Sequence, residues 1–415
     1  MAQPGKPDEA RGPAGGRERR LVMVVGAVVF VDTMFYAAIA PLLPALSHQF
    51  GLTKLSAGVL TAGYPAGTLL GSLPGGILAV RIGPKRTVCL GLALLAASTL
   101  VFGLFNSVVW LDAARFVEGV GGACSWAGGL AWIVAETPAQ RRGGLIGTAL
   151  GAAIAGSLFG PVIGTAAGGI GRGPAFSIVV LVAVALIWQA WRLPLAHRAS
   201  GQGLRHFARA VRAGPVRWGM WLMALPAAVS GLLNVLAPLR LHHLGAGALA
   251  IGATFLIAAG LEAALSPAVG RLSDRRGRIL PMRFGLAATT VLLVSFTVPS
   301  SALPLALVVV LIAVALSAFW APSMALLSEA AEAGGLDQGL AAAAMNLAWA
   351  GGQIVGSGGG GAAAKAAGDL LPTGLAAGLC AVSLLALGPA TGPDRPAPRW
   401  WMRRRSPAGS RSGGG

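Results

Sequence analysis

The sequence predicts an all-α membrane protein with twelve transmembrane helices, arranged as two pseudo-symmetric six-helix bundles. Three observations lead to this fold class. The 415-residue chain has a mean hydropathy of +0.72 and only 11% charged residues, against about 25% in soluble proteins. Many of its apolar runs are long enough to cross a bilayer, which takes roughly 20 residues per helix. A loop motif also recurs in the two halves of the chain.

The apolar runs are separated by short polar segments, and this spacing predicts twelve spans. The first six are 21–44, 55–79, 87–106, 109–134, 145–169 and 174–194. The second six are 218–241, 248–269, 280–299, 303–327, 339–363 and 370–390. The predicted organisation is an N-terminal bundle over 21–194, a linker over 195–217 and a C-terminal bundle over 218–390. The tails, 1–20 and 391–415, are rich in Pro, Gly and Arg and are predicted to be disordered.

The basic residues predict how the chain is oriented in the membrane. With the N-terminus inside, the inside segments hold 27 of the 32 Lys and Arg residues, and the outside segments hold four. This asymmetry follows the positive-inside rule. We therefore expect both termini to be cytoplasmic and the protein to be a multi-pass component of the inner (plasma) membrane. The four outside residues are Lys54, Arg172, Arg240 and Lys365.

The same charge pattern explains the net charge of +18, so we expect no nucleic-acid partner. The basic linker 195–217 is either a short helix on the inner membrane face or a solvated connection. The three cysteines show no spacing typical of a disulfide framework or a metal site. The sequence contains no catalytic constellation and no phosphate-binding P-loop. We therefore expect neither an enzyme nor an ATP-driven pump, and no cofactor.

An internal repeat supports the two-bundle architecture. The loop after span 2 reads GILAVRIGPKR over 76–86, and the loop after span 8 reads GRLSDRRGR over 270–278. Four positions agree at an offset of 194 residues, pairing Gly76, Leu78, Arg81 and Gly83 with Gly270, Leu272, Arg275 and Gly277. Two parallel six-span halves with a substrate site between them are a known transporter design.

At these motifs the chain resembles the major facilitator superfamily, and within it the twelve-span drug:proton antiporters. The first loop resembles the superfamily signature at Gly76, Arg81, Gly83 and Arg86. The second loop resembles its second-half copy at Gly270, Asp274, Arg275, Gly277 and Arg278. Val80 stands where the first-half pattern has an aspartate, which in the family is thought to help lock the two halves in the outward-open state. The resemblance implies the major facilitator fold and transport of a small molecule.

Span 5 carries the apolar segment GTALGAAIAGSLFGPVIG. Its residues Gly147, Gly156, Gly160, Pro161 and Gly164 match every fixed position of the G-x8-G-x3-GP-x2-G motif typical of antiporters. Small residues let another helix approach closely, and the proline removes a backbone donor and permits a bend. We expect this segment to meet a helix of the second half along a central cleft.

Four ionisable residues lie well inside predicted spans: Asp32, Arg115, Glu118 and Glu262. Each would cost roughly 2.5 to 3.5 kcal/mol at a helix centre, so each is expected to face a cavity or a partner. We predict that Asp32 and Glu262 exchange protons or bind cations and that Arg115 is a charge partner in the first half. Arg115 and Glu118 resemble the family motif around a membrane-embedded arginine, and Asp32 lies in a stretch like the span 1 motif of drug exporters. A structural ion pair is the alternative for Arg115 and Glu118, and a helix end near the inner surface is the alternative for Glu262.

Aromatic and amide side chains are predicted to line a substrate cavity: Tyr36, Trp126, Asn234, Trp320, Asn346 and Trp349. Helix packing is the alternative for each of them. Carboxylates and aromatic faces together suit a lipophilic cation. The predicted function is proton-coupled export of a drug-like or cationic small molecule by alternating access. The alternatives are a sugar or amino acid exporter with the same fold and a transporter-like sensor that moves nothing. The expected partners are the substrate, protons and the lipid bilayer, and we expect a monomer.

Overall fold

The computed structural model of the chain describes residues 13–137, 139–193, 204–336 and 338–388. Within these ranges all regular secondary structure is helical. Residues 1–12, part of the linker and the predicted C-terminal tail lie outside the described residues.

The first bundle contains six long helices that follow the first six predicted spans. They are α1 (Pro13–Phe50), α2 (Lys54–Arg81), α3 (Pro84–Leu104), α4 (Val108–Glu136), α5 (Ala139–Ile170) and α6 (Arg172–Arg192). Because only a few residues connect them, consecutive helices cross the membrane in opposite directions. We call the membrane face that holds the α1–α2 connection the predicted outer face, and the opposite one the predicted inner face.

The second bundle follows a short helix, α7 (Leu204–Val211). Its spans are α8 (Gly214–His243), α9 (Ala248–Arg276), α10 (Ile279–Ser295), α11 (Ala302–Ala333), the composite span α12–α13, and α14 (Leu370–Ala386). In the composite span, α12 (Gln338–Ile354) and α13 (Gly360–Ala367) are joined by a π-helical turn over Val355–Gly359. The predicted twelve-span, two-bundle architecture is therefore present in the described part of the chain.

Seven of the described helices are long and apolar enough to cross a membrane by length and composition alone: α1, α3, α5, α6, α8, α9 and α11. The other five spans depart from that simple pattern. Helices α10 and α14 have only 17 residues each, and the π turn divides the eleventh span. Helix α4 carries four charged residues, and α2 is rich in glycine and hydroxyl side chains. Interior-facing polarity lowers hydropathy without preventing a helix from spanning.

The backbone repeats the loop motif of the two halves. Gly83 has φ 96° and ψ 153° where α3 begins, and Gly277 has φ 81° and ψ 157° where α9 ends. Residues with a side chain rarely adopt this conformation. Each loop therefore uses the second shared glycine for the same sharp turn, which confirms the internal repeat at the level of backbone geometry.

Glycines bring α2 and α4 into direct backbone contact. A Cβ atom added at Gly67 of α2 would collide with the carbonyl oxygen of Phe116, and one added at Gly119 of α4 would collide with the carbonyl oxygen of Tyr64. Close approach of this kind stabilises helix pairs in membranes through van der Waals contact. It also fixes Tyr64 of α2 directly against α4.

Helix α7 docks on the second bundle. Phe207 and Ala210 are buried and lie in an apolar cluster with Ala331 of α11 and with Ala341 and Ala344 of α12. The linker therefore contains a short helix, as the first of the two alternatives predicts. The apolar side of this helix packs against the second bundle and not on the membrane face. Linker residues 195–203 lie outside the described residues.

The two bundles meet where α2 crosses the eleventh span. A Cβ atom added at Gly58 would collide with the carbonyl oxygen of Ser357 in the π turn, and one added at Gly361 would lie 2.5 Å from the carbonyl oxygen of Lys54. Small residues of the eleventh span, including Gly361, thus allow close packing against α2.

An ion pair joins the bundles at the predicted outer face. The Nζ atom of Lys54 lies 2.5 Å from Oδ1 of Asp369, and Nη1 of Arg240 lies 3.5 Å from Oδ2 of the same carboxylate. Lys54 belongs to the first bundle, whereas Arg240 and Asp369 belong to the second. Two of the four basic residues that the charge pattern places outside therefore share one carboxylate at the bundle boundary.

We expect replacement of Asp369 by Asn to loosen this outer contact. A partly exposed ion pair contributes about 0.2–1 kcal/mol, so the ratio of open to closed molecules should rise by up to about fivefold. The measurement is the rate at which a membrane-impermeant maleimide labels a cysteine introduced at buried Ser357, with the native cysteines replaced. Lys365→Gln, which removes an exposed charge at the same face, is the matched control. Equal labelling rates in Asp369→Asn and the parent would show that the ion pair does not hold this face closed.

Candidate functional site

Helix α4 presents a polar stripe to the interior of the first bundle. Arg115, Glu118, Gly122 and Trp126 follow one another at intervals of three or four residues, so they share one helix face. Arg115 is 2% exposed and Glu118 is 4% exposed. The stripe faces α1 and α2, whose side chains contact it as described below.

Asp32 of α1 is completely buried opposite this stripe. Its Oδ2 accepts a hydrogen bond from the Tyr64 hydroxyl at 2.8 Å and another from Nε1 of Trp126 at 3.1 Å. Its Oδ1 is buried and has no hydrogen-bond partner among the described residues. Within the described ranges no cation forms an ion pair with it either. Asp32 is thus held by two neutral donors and keeps one oxygen open to a proton or a cation.

Gly122 provides the space that this carboxylate occupies. A Cβ atom at position 122 would lie 2.6 Å from Oδ1 of Asp32 and 2.7 Å from the Tyr64 hydroxyl oxygen. Only a residue without a side chain leaves both groups in place. The sequence therefore places a glycine on α4 where a helix-facing carboxylate of α1 must fit.

Arg115 and Glu118 form a buried ion pair on the same stripe. Nη1 of Arg115 lies 2.9 Å from Oε2 and 3.0 Å from Oε1 of Glu118, while its Nε and Nη2 have no hydrogen-bond partner among the described residues. The guanidinium carbon lies 5.3 Å from the centre of the Tyr64 ring. The pair borders a small cavity inside the first bundle, lined by Phe35, Ile39, Leu42, Thr99, Phe102, Arg115, Glu118 and Phe176.

Aromatic rings connect Asp32 to the second bundle. The centre of the Tyr64 ring lies 5.0 Å from that of Tyr36 and 6.3 Å from that of Trp349 in α12. Tyr36 and Trp349 are themselves 5.4 Å apart. Nδ2 of Asn234 in α8 donates to the Tyr36 hydroxyl at 3.4 Å. The structure thus brings together three of the residues predicted to line a cavity, at the boundary between the bundles.

Trp126, a fourth predicted lining residue, belongs to this group through its hydrogen bond to Asp32. Among the described residues, Trp320 and Asn346 make no hydrogen bond or ring contact with the group. Trp320 packs in the second bundle against an apolar cluster that includes Met223 and Leu327, and Trp349 packs against the same cluster. Asn346 is partly buried. Neither residue extends the group of side chains around Asp32.

Glu262 lies at the midpoint of α9 (Ala248–Arg276). Its side chain is partly exposed, and in the part of the chain that the structure describes it has no ion-pair partner. Glu262 is not at a helix end, because α9 continues well beyond it in both directions. Its depth in the membrane stays a prediction. Glu262 is separate from the Asp32 cluster.

The loop-motif residues lie at the predicted inner face. Nη1 of Arg278 pairs with Oε2 of Glu329 at 2.5 Å, which ties the α9–α10 connection to α11. The side chain of Asp274 lies outside the described residues. Gly76 and Gly270 face open space, and Arg81, Arg86 and Arg275 are among the exposed arginines of the two loops.

Lys85 of the first loop has a role that the motif alone does not reveal. It is 6% exposed, and its Nζ donates to the carbonyl oxygens of Trp191 at 2.7 Å and Leu193 at 2.5 Å. These carbonyls end α6, so the lysine satisfies acceptors that the helix leaves open. The first loop is thereby attached to the end of α6.

The span 5 glycines pack against α1 of the same bundle. Added Cβ atoms at Gly156, Gly160 and Gly164 would meet the carbonyl oxygens of Phe30, Met34 and Ala38, respectively. Gly147 has no atom of a neighbouring helix nearby. Three of the motif glycines therefore hold α5 against α1, whereas the sequence pattern led us to expect them at the cleft.

Helix α5 still meets the second bundle, through a different face. Gly252 of α9 faces the Thr165 side chain and the Pro161 carbonyl, and Gly260 faces the Leu158 side chain. The expected contact of span 5 with a helix of the second half is thus present, with Pro161 beside it.

Tyr64 is the site residue that the sequence patterns miss. It belongs to no motif and lies in a span that attracts attention only through the loop that follows it. The rarity of tyrosine could have identified Tyr64, because the chain has only two tyrosines and both are in this cluster. A polar-tipped aromatic residue in a membrane span usually has a hydrogen-bond partner when it is buried.

Solved structures with the same fold are membrane transporters. The xylose transporter XylE from E. coli, in a partially occluded inward-open conformation, gives a TM-score of 0.70 at 15% identity, covering 89% of this chain and 98% of that chain. A bacterial homolog of the human lysosomal transporter Spinster, in an inward-facing and unoccupied conformation, gives 0.67 at 16% identity, covering 89% of this chain and 96% of that chain. At these identities the likeness shows the fold.

Sequence comparison gives the family. The uncharacterized MFS-type transporter YcaD of Escherichia coli O45:K1 is 26% identical over 276 residues, covering 64% of this chain and 69% of that protein. The family model of the Major Facilitator Superfamily matches residues 25–357, which is most of the chain. The match includes both loop motifs, the α4 stripe and the span 5 segment. This multi-pass membrane protein therefore belongs to the major facilitator superfamily of secondary transporters.

Proposed function

We propose that the protein exports a drug-like or cationic small molecule in exchange for protons, by alternating access. One observation carries the proposal. Asp32 is completely buried, keeps Oδ1 without a hydrogen-bond partner among the described residues, and lies beside aromatic rings from both bundles. A carboxylate in this setting can hold either a proton or a cationic ligand.

Charge balance supports exchange between the two ligands. With both carboxylates ionised, Asp32, Glu118 and Arg115 carry one net negative charge in a site that excludes water. Either a proton or a monovalent organic cation neutralises that charge, and both together overcompensate it. Mutually exclusive occupancy is the condition under which one ligand drives the release of the other.

Aromatic side chains supply the affinity for an organic cation. Tyr36, Tyr64 and Trp349 present three ring faces within one cluster at the bundle boundary. A cation over such faces gains about 0.5–2 kcal/mol per contact, with the larger values in desolvated sites. Rocking of the bundles about the cluster would expose it to each membrane face in turn.

The direction of transport and the orientation rest on sequence features. The span 5 segment and the Asp32 stretch resemble exporters, and the asymmetry of basic residues places both termini in the cytoplasm. We infer a location in the bacterial inner membrane, with proton entry from outside coupled to export.

The test is ligand-dependent proton release from the purified protein. In weakly buffered detergent solution with a pH-sensitive dye, tetraphenylphosphonium should release protons, while xylose and neutral amino acids should not. If only a sugar or an amino acid caused proton release, the substrate would be a metabolite and not an organic cation. Absence of release with every compound, together with no transport by proteoliposomes under a proton gradient, would contradict the proposed function.

A further inference from the structure

We propose that Tyr64 is the positioning residue that transmits the charge state of Asp32 to the contact between the two bundles. The inference rests on the proposed exchange of protons at Asp32. It concerns a residue that lies in no motif and that acts through its neighbours.

Tyr64 lies against side chains of three other helices. Its hydroxyl donates to Asp32 at 2.8 Å, its ring face lies 5.3 Å from the Arg115 guanidinium carbon, and its ring centre lies 6.3 Å from that of Trp349. Trp349 meets the ring nearly edge-on, with an interplanar angle of 85°. Tyr64 thus contacts the carboxylate, the buried cation of the first bundle and an aromatic residue of the second bundle.

The two side chains that donate to Asp32 differ in what they can do when its charge changes. The ionised carboxylate accepts from both Tyr64 and Trp126, and such charge-assisted bonds are stronger than neutral ones. Protonation of Asp32 removes the charge that strengthens both bonds, and a proton carried on Oδ2 must find an acceptor. The indole N–H of Trp126 can only donate, whereas the hydroxyl of Tyr64 can donate or accept. Of these two partners, only Tyr64 can reverse its hydrogen bond.

A change in the hydrogen bond between Tyr64 and Asp32 affects the contact between the bundles. Reversal turns the hydroxyl and weakens its hold on Asp32, so the ring is free to shift against Arg115 and Trp349. The charged groups that act on Asp32 are Arg115 and Glu118 of α4, and Tyr64 of α2 is the titratable group bonded to it. Because Trp349 lies on the helix that α2 crosses, a shift of this ring changes the packing between the bundles.

The experiment measures bundle movement as a function of pH. Spin labels are placed at Val109 and Leu303, which are 74% and 82% exposed, at the predicted outer ends of α4 and α11. The native cysteines are replaced. In the parent protein we expect the distance distribution to differ between acidic and alkaline solution. Tyr64→Phe keeps the ring and removes the hydroxyl, and we expect it to lose this pH response. Thr61→Val, which removes another buried hydroxyl from α2, is the control that should keep it.

The pH responses of the parent and of Tyr64→Phe separate the role of Tyr64 from proton exchange at Asp32. A pH response in Tyr64→Phe equal to that of the parent overturns the role of Tyr64 and leaves proton exchange at Asp32 standing. A parent protein without any pH response overturns the proposed proton exchange and this inference with it. Loss of the response in Tyr64→Phe alone supports both.

A second variant protects the test against a folding defect. Trp349→Leu leaves the hydrogen bond to Asp32 in place and removes the ring contact from the second bundle. We expect it to lose the pH response of the distance although the Tyr64 hydroxyl still donates to Asp32. Folding of every variant is checked by size-exclusion chromatography. A pH response in Trp349→Leu that matches the parent overturns the proposed transmission route.

Discussion

Replacement of Asp32 by Asn should abolish proton-coupled transport in a protein that still folds and inserts. Asparagine has nearly the same volume, and its amide oxygen can accept the hydrogen bonds of Tyr64 and Trp126. It cannot bind or release a proton, so exchange loses its coupling group. We therefore expect proton-coupled transport to fall to the level of vesicles that lack the protein.

The measurement is dissipation of a proton gradient in everted membrane vesicles after addition of tetraphenylphosphonium. Glu332→Gln is the matched control, because Glu332 is an exposed carboxylate at the end of α11 and takes no part in the proposed site. Glu262→Gln tests the second predicted carboxylate, which lies in the middle of α9. Wild-type activity in both Asp32→Asn and Glu262→Gln would remove the proposed basis of coupling.

Replacement of Gly156 by Leu should disrupt the first bundle. Its side chain would be forced against the Phe30 carbonyl and the Thr33 side chain of α1, where there is no room even for a Cβ atom. Thr33, which follows Asp32 in the sequence, also donates to the carbonyl oxygen of Ala153 in α5 at 2.9 Å. Overpacking costs about 1–3 kcal/mol, and more where only backbone can yield. We expect a lower yield of folded protein and a lower melting temperature.

The same helix provides a matched control. Gly147 belongs to the same motif, but a Cβ atom added there meets no neighbouring atom. Gly147→Leu should therefore melt and transport like the wild type. The protein is heated in detergent, and size-exclusion chromatography measures the fraction that stays folded at each temperature. Transport is assayed on the folded fraction. A Gly156→Leu protein with wild-type melting temperature and activity would show that α1 and α5 are not held by this contact.

Local sequence features predict the architecture of this protein well. A helix that crosses a bilayer must satisfy its backbone hydrogen bonds internally and present apolar side chains to lipid. These constraints appear directly in the sequence, as apolar runs, as short polar loops and as the distribution of Lys and Arg. The glycines at 83 and 277 are equally local, since a positive φ at a sharp turn depends on the residue itself. The twelve spans and the two-fold repeat were therefore predictable.

The span 5 segment packs differently from the arrangement that its sequence pattern predicts. Its spacing predicts a helix with a small-residue face, and α5 has one. Gly156, Gly160 and Gly164 lie on a face that α1 covers, while Leu158, Pro161 and Thr165 lie toward α9. A helix with small residues on more than one side offers several packing surfaces. Which neighbour covers each surface depends on the rotation of the helix within the assembled bundle.

By itself, the sequence determined the spans, the repeat, the loop turns and the identity of the buried charges, because each follows from residues close together in the chain. Only the tertiary structure decided which groups those charges meet. Asp32 receives its hydrogen bonds from Tyr64 and Trp126, which are 32 and 94 residues away. Their meeting depends on backbone contact between α2 and α4 at Gly67 and on the space left at Gly122. These are properties of packed helices, and no single span encodes them.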